Sequence, residues 1–84
     1  MKEFADEIDL HGLTVDEALP LVDKFLYQSY RARIHRVWVI YGRGTGVLRV
    51  AVRQYLTKHP LVRVCTTADS NRGGIGATQV ELIG

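Results

Sequence analysis

Eighty-four residues make one small domain, near the lower limit of what a single core stabilises unaided. An apolar share of 46% beside 24% charged residues excludes a disordered chain, and no apolar run reaches the length of a membrane span. The formal charge of +2 conceals two opposed parts: residues 1–30 hold seven acids and two lysines, and residues 31–84 hold nine bases and two acids. Eight of those nine bases are arginine, whose planar fork suits phosphate oxygens, so the basic part points to nucleic acid or else to a merely soluble surface. The acidic start Lys2-Glu3-Phe4-Ala5-Asp6-Glu7 is not a signal peptide, and the single cysteine, Cys65, excludes an internal disulfide. Both fit a cytoplasmic protein, with Cys65 a small core residue of a strand.

Ala5 to Leu10 alternates between polar and apolar residues and reads as a first strand, broken at His11-Gly12-Leu13. Thr14 with Glu17 three positions on predicts a capping box opening a helix over 15–31. The stripe Val15, Ala18, Leu19, Val22, Phe25, Leu26 and Ser29 runs through Pro20, where a bend is expected. Arg31 to His35 is a basic link, and Arg36 to Tyr41 a second strand whose Trp38 reads as core, the alternative being a platform that stacks a base. A second helix places Leu48, Ala51, Val52, Tyr55 and Leu56 inward, leaves Arg49 and Arg53 together off that stripe, and ends at His59-Pro60. His59 reads as a loop residue near a helix C-terminus, where positive charge is favoured. Leu61 to Thr67 is a third strand, residues 69–76 a loop free to move, and Ala77 to Ile83 a fourth strand.

The order β-α-β-α-β-β with right-handed crossovers makes the first two strands parallel, and a short third connection favours an antiparallel pair. Polar residues on one face of strands one and four put both helices on the other face. The C-terminal ends of the first two strands then share a rim, the usual ligand crevice of open α/β sheets.

Two features meet at that rim. The first is the strand, glycine turn and helix start of Val37 to Arg49, with Gly42, Gly44 and Gly46 alternating around Arg43 and Thr45. Close backbone approach, free N–H groups and a helix dipole make this an anion site, and Arg43 adds a phosphate fork. A triphosphate P-loop needs Gly-Lys-Ser/Thr and a dinucleotide site needs G-x-G-x-x-G, and neither is present, so a phosphodiester is the expected ligand. The plain alternative is that the glycines only shape a tight connection. The second feature is Asp9 and His11, placed i and i+2 on one strand face. With a phosphodiester held by Arg43 and the backbone, His11 moves a proton, Asp9 orients it or holds a metal, and Arg43 stabilises developing charge. The alternative is that Asp9 caps the following turn and His11 binds backbone. Scattered histidines and one cysteine require no metal cofactor; Asp6, Glu7 and Asp9 make at most a loose, water-completed site for a divalent cation such as Mg²⁺ or Mn²⁺, because Asp6 points to the opposite strand face.

Asp9-Leu10-His11-Gly12, then Tyr41-Gly42-Arg43-Gly44-Thr45-Gly46-Val47-Leu48-Arg49, then Gly73-Gly74-x-Gly76-Ala77-Thr78 resemble the motifs of the Smr (small MutS-related) domain, in its version at the C-terminus of MutS2 proteins. The resemblance covers about residues 7–84. It implies an α/β two-layer sandwich whose four-stranded mixed sheet carries two helices on one face, with strand four lying antiparallel between two and three. It implies one nuclease domain over 1–84, excised from a larger MutS2-like chain with an ATPase upstream. Endonuclease activity on DNA or RNA, recombination suppression and rescue of collided ribosomes come with it. Asp9 and His11 correspond to the family's catalytic Asp-Leu-His, and Gly42, Arg43 and Gly44 to its phosphate turn. Thr45, Gly46, Arg49, Arg53 and Arg72 are the further nucleic-acid contacts expected here. Many members have His before Gly-x-Gly; Tyr41 stands there in this chain and would at most donate a hydrogen bond. Two rival readings are a non-catalytic module docking nucleic acid or ribosome, and a protein-interaction domain using the open sheet face.

Overall fold

The computed structural model describes residues 6–42, 46–68 and 76–84. The first alternating segment forms β1 (Glu7–Asp9), shorter than the sequence suggests because the chain turns at His11 and Gly12. Helix α1 (Val15–Arg31) starts where the capping box predicts: Thr14 Oγ1 accepts from Glu17 N (3.2 Å), and Glu17 Oε1 accepts from Thr14 N (3.0 Å). It runs on through Pro20, which lies on the exposed side, where the carbonyl left without its N–H partner can meet water. Strand β2 (Arg36–Ile40), helix α2 (Val47–Thr57), β3 (Val62–Thr67) and β4 (Ala77–Leu82) follow.

The sheet order is β1-β2-β4-β3. Strand β1 pairs parallel with β2, while β4 runs antiparallel between β2 and β3. This is the four-stranded mixed sheet with two helices anticipated from the motifs. Side chains alternate across it: Val37 and Val39 on β2 and Val80 on β4 are fully buried beneath the helices, with Ala18, Val22 and Leu26 from α1 and Val52 and Leu56 from α2. Each large side chain so buried contributes roughly 1.5–3 kcal/mol. Cys65 packs against this core.

One expectation changes. Trp38 alternates with Val37 and Val39, so it lies half-buried on the helix-free face opposite Glu7 and Gln79 rather than in the core. His59 is a loop residue just past α2, as expected, and it is buried there, 7% exposed. Residues 69–75 of the expected loop, with Arg72, and the turn residues Arg43, Gly44 and Thr45 lie outside the described residues. Among the described residues no helix is long and apolar enough to cross a membrane.

Candidate functional site

The ends of β1 and β2 lie side by side: Asp9 is in register with Ile40, and Leu10 N donates to the Ile40 carbonyl at 2.6 Å. Past Ile40, the N–H groups of Tyr41 and Gly42 both donate to the Gly76 carbonyl (2.9 and 3.0 Å), which ties the turn to the start of β4. Above this rim opens a cleft of about 700 Å³, with His11, Thr14, Gly42, Gly46, Val47 and Arg49 in its walls.

His11 is exposed, and its ring lies over the glycine turn: a Cβ at Gly42 would stand 3.2 Å from His11 Cδ2. Gly42 also has φ +84°, a backbone state that L side chains rarely adopt. Asp9 lies just behind. Its Oδ1 accepts from His11 N at 2.9 Å, so the carboxylate holds the main chain of His11 and closes the turn. The strand has ended by then, and the i, i+2 alternation that would put both side chains on one face ends with it.

Two helix N-termini reach this cleft, and they differ. That of α1 is closed by its own capping box and carries Asp16 and Glu17. That of α2 begins at Gly46 (φ +91°), has no side-chain cap and no acid in its first turn. Arg49 folds back over it, Nη2 lying 3.3 Å from where a Gly46 Cβ would be. The dipole and the guanidinium therefore add at one place, and an anion there meets no competing carboxylate from α2's first turn. Arg53, one turn on, donates from Nη1 to Thr67 Oγ1 at 3.3 Å and is directed toward the end of β3 rather than into the cleft.

Tyr41 borders the cleft, but its hydroxyl points into the core and shares a 2.6 Å hydrogen bond with Thr78 Oγ1. That bond turns the phenol away from the cleft. Among the described residues no three His, Cys, Asp or Glu side chains gather to hold a metal.

A second polar cluster went unnoticed in the sequence. Asp23 Oδ1 accepts from Tyr55 Oη (3.0 Å) and pairs with His59 Nε2 (2.8 Å), while His59 Nδ1 accepts from Leu61 N (3.1 Å). Tyr27 and Tyr55 flank the imidazole edge-on. These hydrogen bonds, His59's first, hold the Asp23 carboxyl below its ordinary range. Burial, then the carboxylate, pushes the Tyr55 phenol up. Both ring nitrogens of His59 are engaged, so the cluster fastens α1 to the end of α2 and is not placed for proton transfer. The i, i+4 spacing of Tyr55 and His59 was its one visible sign.

The domain is an α/β two-layer fold that places an imidazole, Gly42 and an arginine-covered helix start at one sheet rim. More particularly, the chain belongs to the Smr domain family, whose model matches residues 8–83. It is 43% identical over 81 residues to Endonuclease MutS2 of Pelotomaculum thermopropionicum and 45% identical over 76 residues to Endonuclease MutS2 of Thermomicrobium roseum. Those alignments cover 96% and 90% of this chain and 10% of each relative, so the chain spans about a tenth of their length. Among solved structures, the Smr domain of Thermus thermophilus MutS2 superposes with a TM-score of 0.90 at 38% identity, over 93% of this chain and 98% of that one. YdaL, a stand-alone small MutS-related protein from Escherichia coli, gives 0.89 at 27% identity, over 94% and 65%.

Proposed function

We propose that this domain is an endonuclease module that cleaves nucleic-acid phosphodiesters, as part of a larger MutS2-like protein with an ATPase region. The observation that carries the reading is the meeting of the His11 imidazole, Gly42 and the start of α2 under Arg49 in one cleft. In this reading the scissile phosphate sits at the α2 N-terminus. The turn Gly42, Arg43, Gly44, Thr45 and Gly46, together with Arg49, binds its oxygens. Arg53 and Arg72 follow the flanking strand. Asp9 fixes His11 through its main chain, and His11 moves the proton.

With RNA, His11 takes the proton of the 2′-hydroxyl, the 2′-oxygen attacks phosphorus, and the 5′-oxygen leaves and takes a proton from water, giving a 2′,3′-cyclic phosphate and a 5′-hydroxyl. Arg43 and the turn N–H groups stabilise the charge that develops on the phosphoryl oxygens. DNA lacks that hydroxyl and requires an activated water. The names of the relatives support nuclease chemistry, and the family resemblance extends the proposal to recombination suppression and rescue of collided ribosomes in a cytoplasmic parent.

The test is cleavage of matched RNA and DNA, with and without EDTA, by wild type and His11→Ala. Loss of cleavage by about 10²- to 10⁴-fold with binding retained is the expected result. RNA products ending in 5′-phosphate, formed only with Mg²⁺, would overturn the metal-independent step.

A second reading, a binding module without catalysis, is favoured by Tyr41 at the position before Gly42, its phenol bonded to Thr78, so that His11 is the one imidazole lining the cleft among the described residues. A wild-type domain that binds every substrate and cleaves none would establish it.

A further inference from the structure

The end of the sheet opposite the cleft carries a second basic surface. From residue 24 to residue 68 the sequence has nine bases and no acid. Arg31, Arg33, His35 and Arg36 from that stretch fall where α1 ends and β2 begins. A shallow pocket of about 240 Å³ opens there, walled by Tyr30, Arg31, Arg33, His35 and Ile83 among others. Glu81 answers part of the charge by pairing with Arg36 and Arg63. Arg31 and Arg33 have no ion pair or side-chain hydrogen bond among the described residues.

Arg33 is the informative residue. Helix α1 closes through Arg33 N to the Tyr30 carbonyl (3.1 Å) and Ile34 N to the Ser29 carbonyl (3.0 Å), and Arg33 itself has φ +61°. Glycine suits that left-handed position best, because a Cβ is penalised there. The helix dipole does not explain the arginine either: Arg31 already occupies the last turn, and the dipole's influence fades beyond it. A charged side chain is thus held at some cost to the backbone beside Tyr30, which is 43% exposed and can stack a base.

We propose that this surface is a second phosphate-backbone contact for nucleic acid. The inference rests on the nucleic-acid reading above and extends it to a second place on the molecule. Along β2, Arg36 to Gly42 is six residues, which separates the two contacts by about 20 Å. On a duplex that is about six phosphates of one strand. The ligand must therefore run well past the scissile bond.

The experiment measures anisotropy of fluorescein-labelled 20-mers, single-stranded and duplex, RNA and DNA, across 50–200 mM KCl. Wild type is compared with the double variant R31Q/R33G, in which glycine relieves the backbone at position 33. The expected result is a salt slope smaller by about two and an affinity about tenfold weaker at the low-salt end, with Tm unchanged or raised. R33K, which keeps the charge, retains the wild-type slope. Equal affinity and slope in R31Q/R33G and wild type would overturn this inference while leaving the cleft reading intact. Weak binding accompanied by a lower Tm would assign the two arginines to the fold instead, and also overturns it. A wild-type chain that binds none of the four ligands sinks the nucleic-acid reading itself.

Discussion

Gly42 couples the turn of one strand to the imidazole of another. Its φ of +84° and the 3.2 Å between a hypothetical Cβ and His11 Cδ2 make two demands on the same atom. Gly42→Ala is expected to cost about 1–2 kcal/mol through backbone strain alone. It should lower cleavage further by moving the ring, measured as kcat against Tm. A variant that melts earlier yet cleaves at the wild-type rate would separate His11 from the chemistry. Tyr41 gives the opposite pattern. Tyr41→Phe leaves the fully buried Thr78 hydroxyl without this partner, a loss of about 1–3 kcal/mol, and should leave cleavage untouched because the phenol faces away from the cleft. Reduced kcat at unchanged stability would return Tyr41 to the site. The period-two alternation already implied this orientation, since Tyr41 follows Val37 and Val39 on the buried face.

Between elements, the fastening of α1 to α2 is set by a half-exposed carboxylate under a buried imidazole. Asp23 titrates below its unfolded value, so its contribution to stability is complete above about pH 4 and is lost as pH falls through the lower folded value. Tyr55 has the reverse sign: its raised value contributes up to about pH 10 and loses that contribution as pH rises through the folded value. Thermal melts from pH 2 to 6 should fall more steeply for wild type than for Asp23→Asn. Parallel curves would show that the carboxylate does not link folding to acid.

Little of this cluster is legible in the sequence. Helices and strands were legible because periods of 3.6 and 2 are local, and the Thr14–Glu17 capping box lies within four residues. The Asp23–His59 pair spans 36 positions and has no local signature. The rim could be placed from strand order, and so could the glycines on it. What Asp9 binds could not, because the choice between a neighbouring ring and a neighbouring N–H depends on where β1 stops.

At the scale of the whole molecule, the cleft and the Arg31–Arg33 surface stand at opposite ends of β2, in a body with extents of 33 × 26 × 23 Å. A ligand touching both must cross most of the domain, and it must do so in one direction from the scissile phosphate. Trimming the substrate should therefore be asymmetric. Shortening one flank below about six nucleotides removes the far contact and raises KM by about tenfold, whereas shortening the other flank to the same length spares the contacts at the rim and leaves KM unchanged. Because the far surface holds ground state and transition state alike, kcat should not move. In R31Q/R33G the asymmetry should vanish, since the far contact is then gone and only contacts at the cleft rim remain. A substrate series in which both flanks matter equally, or in which trimming lowers kcat instead of raising KM, would mean that the strand does not run along β2 from the glycine turn to Arg33.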